Sequence, residues 1–332
     1  MICAHDTPIA TCSKLIYLRH FVSKNATLRT ASVVNPKTLH HFLHLADTPH
    51  FGKASTAAKV SISTLSRSIR QLENELDVTL FNRDNRSVSI TKNGLIFEQY
   101  ARDALLRHNA LRQSLIRRDS PLTGELSLYC SVTASYSVLF KLLQQFRPHF
   151  PQVEIKLQTG DPDEAINRIL TAKEDLTIAA RPATLPRGVR YLPLASSELL
   201  FIAPVQHSDT DIPSTGVQYP DTWTRVPMII PNSGLVRQRI DNWFKELKIS
   251  PRIYAQVAGN EAIVSMVSLG LGVGVVPEIV LANSPLANRV RVLDASPGLQ
   301  AIDLGLFALN KALRNPLVSA FWKTSNRATT TP

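Results

Sequence analysis

A chain of 332 residues, 44% hydrophobic, is too long for one typical domain and rich enough in apolar side chains for two or three real cores. Its formal charge of +11 is unevenly spread: residues 1–120 hold seventeen Lys and Arg against nine Asp and Glu, and the remainder twenty against seventeen, so the electrostatic footprint for a nucleic acid lies in the first third. Three cysteines (Cys3, Cys12, Cys130) without a CxxC argue against a disulfide framework, and the longest uncharged run, Ala262 to Pro277, is broken by glycines and falls short of the ~20 apolar residues of a membrane span.

In chain order, residues 1–33 carry no strong periodicity. Arg19 and His20 cut the apolar patch LIYL, so no signal peptide is expected, and the location read from this is cytoplasmic. A start codon placed too far upstream, with Val34 as an alternative initiation point, is the expectation here; a flexible basic arm is the other reading. Leu39 to Asp47 is predicted as a first helix with Leu39, Phe42, Leu43 and Ala46 on one side. His40, His41 and His44 are expected on its solvated face; His40 and His44 have metal-ligand spacing but no third ligand nearby, so no metal is expected.

Residues Phe51 to Arg70, FGKASTAAKVSISTLSRSIR, read as two short helices around a tight turn. The first, Gly52 to Lys59, carries Ala54, Ala57 and Ala58, small enough for another helix to approach closely. Val60-Ser61 breaks the pattern, and Ser61 is a good N-cap. The second helix buries an i, i+4, i+7, i+11 stripe of Leu65, Ile69, Leu72 and Leu76, while Ser63, Arg67, Arg70 and Asn74 occupy the opposite pole. Hydroxyls, guanidinium and amide on one helix face suit a major groove. Any soluble amphipathic helix shares that division, so the rest of the chain must decide. Leu80 to Thr91 is predicted as a hairpin with its turn at Asp84-Asn85, a wing whose Arg83 and Arg86 can press on phosphates. Residues 34–91 therefore form a winged helix-turn-helix.

Lys92 to Arg118 is one long helical pattern. Phe97, Ala101, Ala104, His108, Leu111 and Leu115 repeat with the 4–3 spacing of a two-helix seam, and about 27 residues span about 40 Å. The expectation is a linker helix, 92–118, that pairs two copies of the chain. A hinge, 119–124, follows. Beyond it the texture is alternating strand and helix: strands Leu126–Cys130, Val153–Gln158 and Leu176–Ala180 with helices around Ala134–Phe150 and from Pro162, the latter entered through Asp161-Pro162-Asp163-Glu164. A second set comprises strand Val226–Ile230, helix Leu235–Lys248, strand Ile253–Val257, helix Glu261–Leu269 and strand Val273–Val276. Strand Ala301–Leu309 and helix Pro316–Lys323 return to the first set. The domain 125–324 thus reads as two α/β lobes, one of about 125–202 plus 306–324 and one of about 203–305, with a ligand cleft between them.

On the head FGKASTAAKVSISTLSRSIRQLENELDVTLFNRDNR and the segment VSLGLGVGVVPE, the chain resembles the LysR-type transcriptional regulators over about residues 34 to 324. The resemblance implies an α/β multi-domain chain with a winged helix-turn-helix, a linker helix and a periplasmic-binding-protein-like effector domain. It also implies a homodimer or tetramer that meets RNA polymerase at a promoter. The segments FLHLADTPHFGKAS, LFNRDNRSVSIT, GELSLYCSVTASYS and GNEAIVSMVSLGLGVGVVPEIVLANSP resemble a subgroup within that family. This second likeness implies activation of the acetohydroxy acid isomeroreductase gene in isoleucine and valine synthesis, with acetolactate or acetohydroxybutyrate as inducers. The other readings are a regulator of another pathway with a different small carboxylate effector, or a two-lobed solute-binding protein. Many relatives carry Gln-Pro where this chain has Ile62-Ser63, and Thr91-Lys92-Asn93-Gly94 departs from the common Thr-x-Ala-Gly entry to the linker helix.

The expected DNA contacts are Ser63, Thr64, Ser66, Arg67 and Arg70, with Arg83 and Arg86 in the wing. Ser66 is equally readable as a hydroxyl bonded to its own helix. In the cleft an effector carboxylate needs donors and a positive field, which helix N-termini supply. Ser131 and Thr133 stand where the family commonly contacts effectors; Thr159, Gly160, Asn232, Ser233 and Asn260 flank other strand–helix junctions and are each readable as simple N-caps. No HExxH, GxSxG, Walker loop or CxxC is present, and Gly270-Leu-Gly-Val-Gly274 lacks dinucleotide spacing, so an enzyme is not expected.

Overall fold

The computed structural model describes residues 34–84, 87–115, 121–206, 212 and 220–330. The N-terminal extension, Arg86, the end of the linker helix past Leu115 and the start of the hinge lie outside them. The chain divides into a unit ending at Phe97 and a second beginning at Glu98.

The first unit opens with α1 (Pro36–Asp47), whose N-cap Asn35 accepts from the Thr38 N–H at 2.9 Å and whose Pro36 is pre-set for a helix start. Next come α2 (Phe51–Ala57) and α3 (Ile62–Leu76), then the wing strands β1 (Phe81–Arg83) and β2 (Val88–Ile90), paired antiparallel. The three helices close on Leu39, Phe42, Leu45, Ala54, Leu65, Ile69 and Leu72, all buried. Phe42 meets Phe81 at 5.1 Å and Phe97 edge-on at 4.8 Å, which ties wing and following helix to α1. His41 departs from expectation. Beside Phe42 and four residues before Leu45, it falls inside the buried arc, 5% exposed, with Nδ1 2.9 Å from the Ser68 hydroxyl of α3. Burial lowers its pKa, and the nearby Lys37, His44 and His40 lower it further.

Helix α4 (Lys92–Leu115) begins where the Thr91 hydroxyl accepts from the Gly94 N–H at 3.0 Å and donates to the Thr79 carbonyl. Gly94 is required there: a Cβ would lie 2.3 Å from the Leu80 carbonyl oxygen. The expected seam is divided. Phe97 and Ala101 are buried within the chain, whereas His108 is exposed, as are Leu111 at 56% and Leu115 at 74%. Phe97 packs on the head, while Leu95, Ile96 and Tyr100 are exposed in the first turns as Leu111 and Leu115 are in the later part.

In the second unit, β3 (Gly124–Cys130) runs into α5 (Val132–Ala134), which passes through a π-helical turn, Ser135–Leu139, into α6 (Phe140–Phe146). Then follow β4 (Val153–Thr159), α7 (Ala165–Leu170) after a 3-10 turn at Pro162–Glu164, β5 (Leu176–Ala180), β6 (Val189–Ser197) and β7 (Leu199–Pro204). The chain continues through β8 (Pro227–Pro231), α8 (Gly234–Glu246), β9 (Arg252–Val257), α9 (Asn260–Ser268), β10 (Val273–Pro277), α10 (Glu278–Ala282), β11 (Val290–Leu293), β12 (Ile302–Leu309) and α11 (Pro316–Thr330). Two five-stranded mixed sheets result, ordered β4-β3-β5-β12-β6 and β11-β7-β10-β8-β9.

The lobes exchange chain at other points than the sequence suggested. β6 lies in the first sheet and β7 in the second, so the first crossing is at Glu198 and not after residue 202. The return puts all of β12, from Ile302, in the first sheet, so the boundary is not at 305/306. The crossing has no Pro or Gly to announce it. It is set by partners distant in sequence: the Ser197 hydroxyl accepts from the Ile279 N–H at 3.1 Å, and the Glu198 carbonyl from the Glu278 N–H at 2.8 Å. Each lobe has its own aromatic core, with Phe146 on Phe321 in the first and Phe201, Trp223, Trp243 and Phe244 together in the second. Among the described residues, no helix is long and apolar enough to cross a membrane.

Cys130 ends β3 fully buried, and burial pushes its thiol up to about 12. At pH 8 its thiolate fraction is on the order of 10⁻⁴, so folding is expected to slow its alkylation by iodoacetamide more than about a hundredfold. Mass spectrometry of the Cys130 peptide with and without guanidinium measures this; equal rates would mean that β3 opens freely.

Candidate nucleic-acid interface and ligand cleft

On α3 the cap forms as its sequence requires: the Ser61 hydroxyl accepts from the Thr64 N–H at 3.1 Å and lies 2.9 and 2.8 Å from the hydroxyls of Ser63 and Thr64. Leu65, Ile69 and Leu72 are buried beneath; Leu76, the last of the stripe, is 37% exposed because the helix ends there with Asp77 in the left-handed region. Ser63, Thr64, Arg67 and Arg70 are exposed and Ser66 half-buried. Ile62 stands at the same end, 55% exposed, an apolar group beside the hydroxyls.

The wing differs from the sequence picture in one respect. Arg83 is not a free cation: its guanidinium pairs with the Glu73 carboxylate of α3 and lies 5.6 Å from the Phe51 ring centroid. The other Glu73 oxygen accepts from the backbone N–H groups of Leu80 and Phe81 at 2.9 and 3.1 Å. Glu73 thus fastens the wing to α3. Nothing in its spacing marks it, since its partners are seven to ten residues away in a different element. Arg86 lies outside the described residues.

Between the lobes of the second unit is a cavity of about 330 Å³. Of the expected ligand residues, Ser131, Thr133, Asn232, Ser233 and Asn260 line it. Thr159 and Gly160 do not: Thr159 is the last residue of β4, paired with Cys130, and Gly160 backs onto Tyr129, whose hydroxyl would meet a Cβ at 2.5 Å. Ser137 and Gln238, missed from sequence, also face the cavity. Ser137 sits in the middle of the π-helical turn, whose wider winding a 3.6-residue reading cannot anticipate. Ile166, Ile178, Pro277, Ile279, Ile302 and Leu304 supply apolar wall. Among the described residues no Lys, Arg or His lines the cavity; the charged residues in the wall are Asp161 and Asp163. The positive field an anion needs comes from helix starts, chiefly the run beginning at Val132 and α8.

Several cleft groups are already engaged. The Ser131 hydroxyl caps α5 by accepting from the Ala134 N–H at 3.2 Å. Thr133, 3% exposed, donates its N–H at 3.0 Å, and its hydroxyl too, to the Glu261 carboxylate of α9. Ser233 is the N-cap of α8, yet its hydroxyl donates across the cleft to Asp163 at 2.6 Å. Part of Asp163 stays open to solvent, but lost hydration where it meets α8 raises its pKa, the Ser233 bond opposing that rise and Asp161 adding to it. The loop carrying Asp163 is anchored by the Tyr129 hydroxyl, which donates to the Asp161 carbonyl at 2.8 Å. The arrangement can grip a small molecule with donors at one end and an apolar pocket at the other.

Comparison with known proteins joins the two halves. Residues 36–95 match the family model described as bacterial regulatory helix-turn-helix protein, lysR family, and residues 119–329 match the LysR substrate binding domain. The chain is 45% identical over 290 residues to the HTH-type transcriptional activator IlvY of Salmonella typhimurium, covering 86% of this chain and 98% of that protein. It is also 45% identical over 290 residues to the HTH-type transcriptional regulator IlvY of Escherichia coli, covering 86% and 97%. In fold it is similar to a full-length OxyR variant from Pseudomonas aeruginosa, with a TM-score of 0.64 at 20% identity, covering 90% of this chain and 98% of that one.

Proposed function

Since the chain belongs to the LysR family of DNA-binding transcriptional regulators, we propose that it is an inducer-dependent activator of the acetohydroxy acid isomeroreductase gene in isoleucine and valine synthesis. One observation carries this reading: the 45% identity to IlvY activators spans the reading head and the effector lobes together, 98% of the relative's length. The chain is a regulator and not an enzyme.

The reading assigns Ser63, Thr64, Ser66, Arg67 and Arg70 to DNA. Arg67 and Arg70 provide the guanidinium groups for paired acceptors on guanine, and Arg83 orients the wing. The exposed stripe of α4 pairs two copies, so that two heads meet two half-sites in the cytoplasm, next to RNA polymerase. In the cleft, acetolactate or acetohydroxybutyrate fits the division of the wall. The carboxylate and hydroxyl face Ser131, Thr133, Ser137, Asn232, Ser233 and Asn260, and the methyl or ethyl group faces Ile178, Ile302 and Leu304. An inducer acts by preferring one of two lobe arrangements, which alters how paired heads bend DNA.

Footprinting of the full-length protein on DNA upstream of the isomeroreductase gene, with and without 2-acetolactate, tests this. The expected result is protection of two half-sites with a pattern that acetolactate changes. Ser131→Ala and Thr133→Ala are expected to keep the footprint and lose the change. Absence of protection there, or an unaltered response in both variants, would overturn the assignment.

A further inference from the structure

Taking the cleft as the effector site, we propose that Glu261 is the protein's own substitute for the effector's carboxylate. It is a latch between the lobes that an anionic effector must displace to reach Thr133. Glu261 belongs to the second lobe, in the first turn of α9, yet one of its oxygens accepts both donors of Thr133 in the first lobe. Those donors are the seat an incoming carboxylate needs: a backbone N–H at a helix start, with a buried hydroxyl beside it.

The latch is built to let go. The second Glu261 oxygen lies beside Gly259, the N-cap of its own helix, where a Cβ would be 3.5 Å away. On release the carboxylate falls back onto the start of α9, so one helix N-terminus is exchanged for another and little favourable field is lost. The opposite side of the cleft has a shorter tie that does not share this freedom. Asp163 of the first lobe holds the Ser233 hydroxyl and packs against Gly234 at the start of α8. Each lobe therefore lends the other a carboxylate. The long one yields and the short one stays as a pivot. Selectivity follows directly, because a neutral molecule of the same shape cannot replace the charge at Thr133 and leaves the latch closed.

The test uses full-length wild type, Glu261→Ala and Glu261→Asp, the second retaining charge on a side chain too short to span the contact. Amide exchange of the peptide containing Thr133, without ligand, is expected to be about tenfold faster in both variants. Calorimetric titration with 2-acetolactate is expected to show about tenfold tighter binding than in wild type, since the closed form no longer competes. Unchanged exchange in both variants overturns the latch whatever acetolactate does, and so does unchanged or weaker binding where wild type binds. If exchange quickens while acetolactate binds none of the three proteins, the latch stands and the proposed inducer fails.

Discussion

Arg67→Ala is expected to lower operator affinity by about thirtyfold at least and up to about ten-thousandfold, because one bidentate guanine contact contributes about 1–3 kcal/mol and a paired head loses two. Its melting temperature should not move. Arg67 is exposed, and among the described residues no hydrogen bond or ion pair holds it within the protein. Alanine is at least as good a helix former, and surface substitutions of this kind stay within about 0.5 kcal/mol. Gel shift and footprinting at fixed salt read the first quantity, and scanning calorimetry the second. Wild-type affinity in the variant would remove Arg67 from the interface. A lowered melting temperature would mean that it has a structural part the fold does not show.

The second large effect is expected from Gly234→Ala. Gly234 opens α8 at a φ of +89°, and a Cβ there would overlap the Asp163 carboxylate at 1.8 Å. An alanine thus meets two penalties. Left-handed backbone strain alone costs about 1–2 kcal/mol, and the overlap is relieved only if Asp163 withdraws and breaks its bond to Ser233. The consequence is a cleft wedged open on its pivot side. Acetolactate response in a reporter strain should fall to background, while the same protein still shifts operator DNA with wild-type affinity. An inducer response of normal size would show that the lobes do not need the Asp163–Ser233 contact. In that case the cleft is rigid and the effector acts by another route.

What the residue pattern disclosed and what it hid have a common physical basis. The outward face of α3, the Ser61 cap, the Asp161-Pro162 helix entry and the strand at Leu176–Ala180 are local matters. Each depends on a periodicity or a side chain that reaches its own backbone within a few residues. Most hidden features join residues distant in sequence; the π-helical turn that carries Ser137 is the local exception. The buried side of His41 is not legible locally because the hydroxyl that holds it, Ser68, is 27 residues away. Glu73 and Glu261 look like ordinary surface carboxylates until the wing and the opposite lobe are folded against them. The change of sheet between β6 and β7 has no local marker, and only the contacts with Glu278 and Ile279 show where it falls. In the cleft, five of seven expected residues line the cavity, since strand–helix junctions gather at sheet edges whatever the sequence. Thr159 and Gly160 fail because their junction turns toward Tyr129.

The place of β12 also governs the order in which the chain can be finished. It sits inside the first sheet, between β5 and β6, although more than a hundred residues of the second lobe are synthesised in between. On the ribosome the second lobe can therefore complete its sheet while the first still has a vacant inner edge, with the β12 side of β5 and the whole of β6 unpaired until residues 302–309 emerge. A stop codon between Leu293 and Leu309 therefore harms the lobe begun first more than the one completed before it. Truncated products of this gene should then be removed by proteases as whole molecules and should not survive as trimmed, half-working regulators.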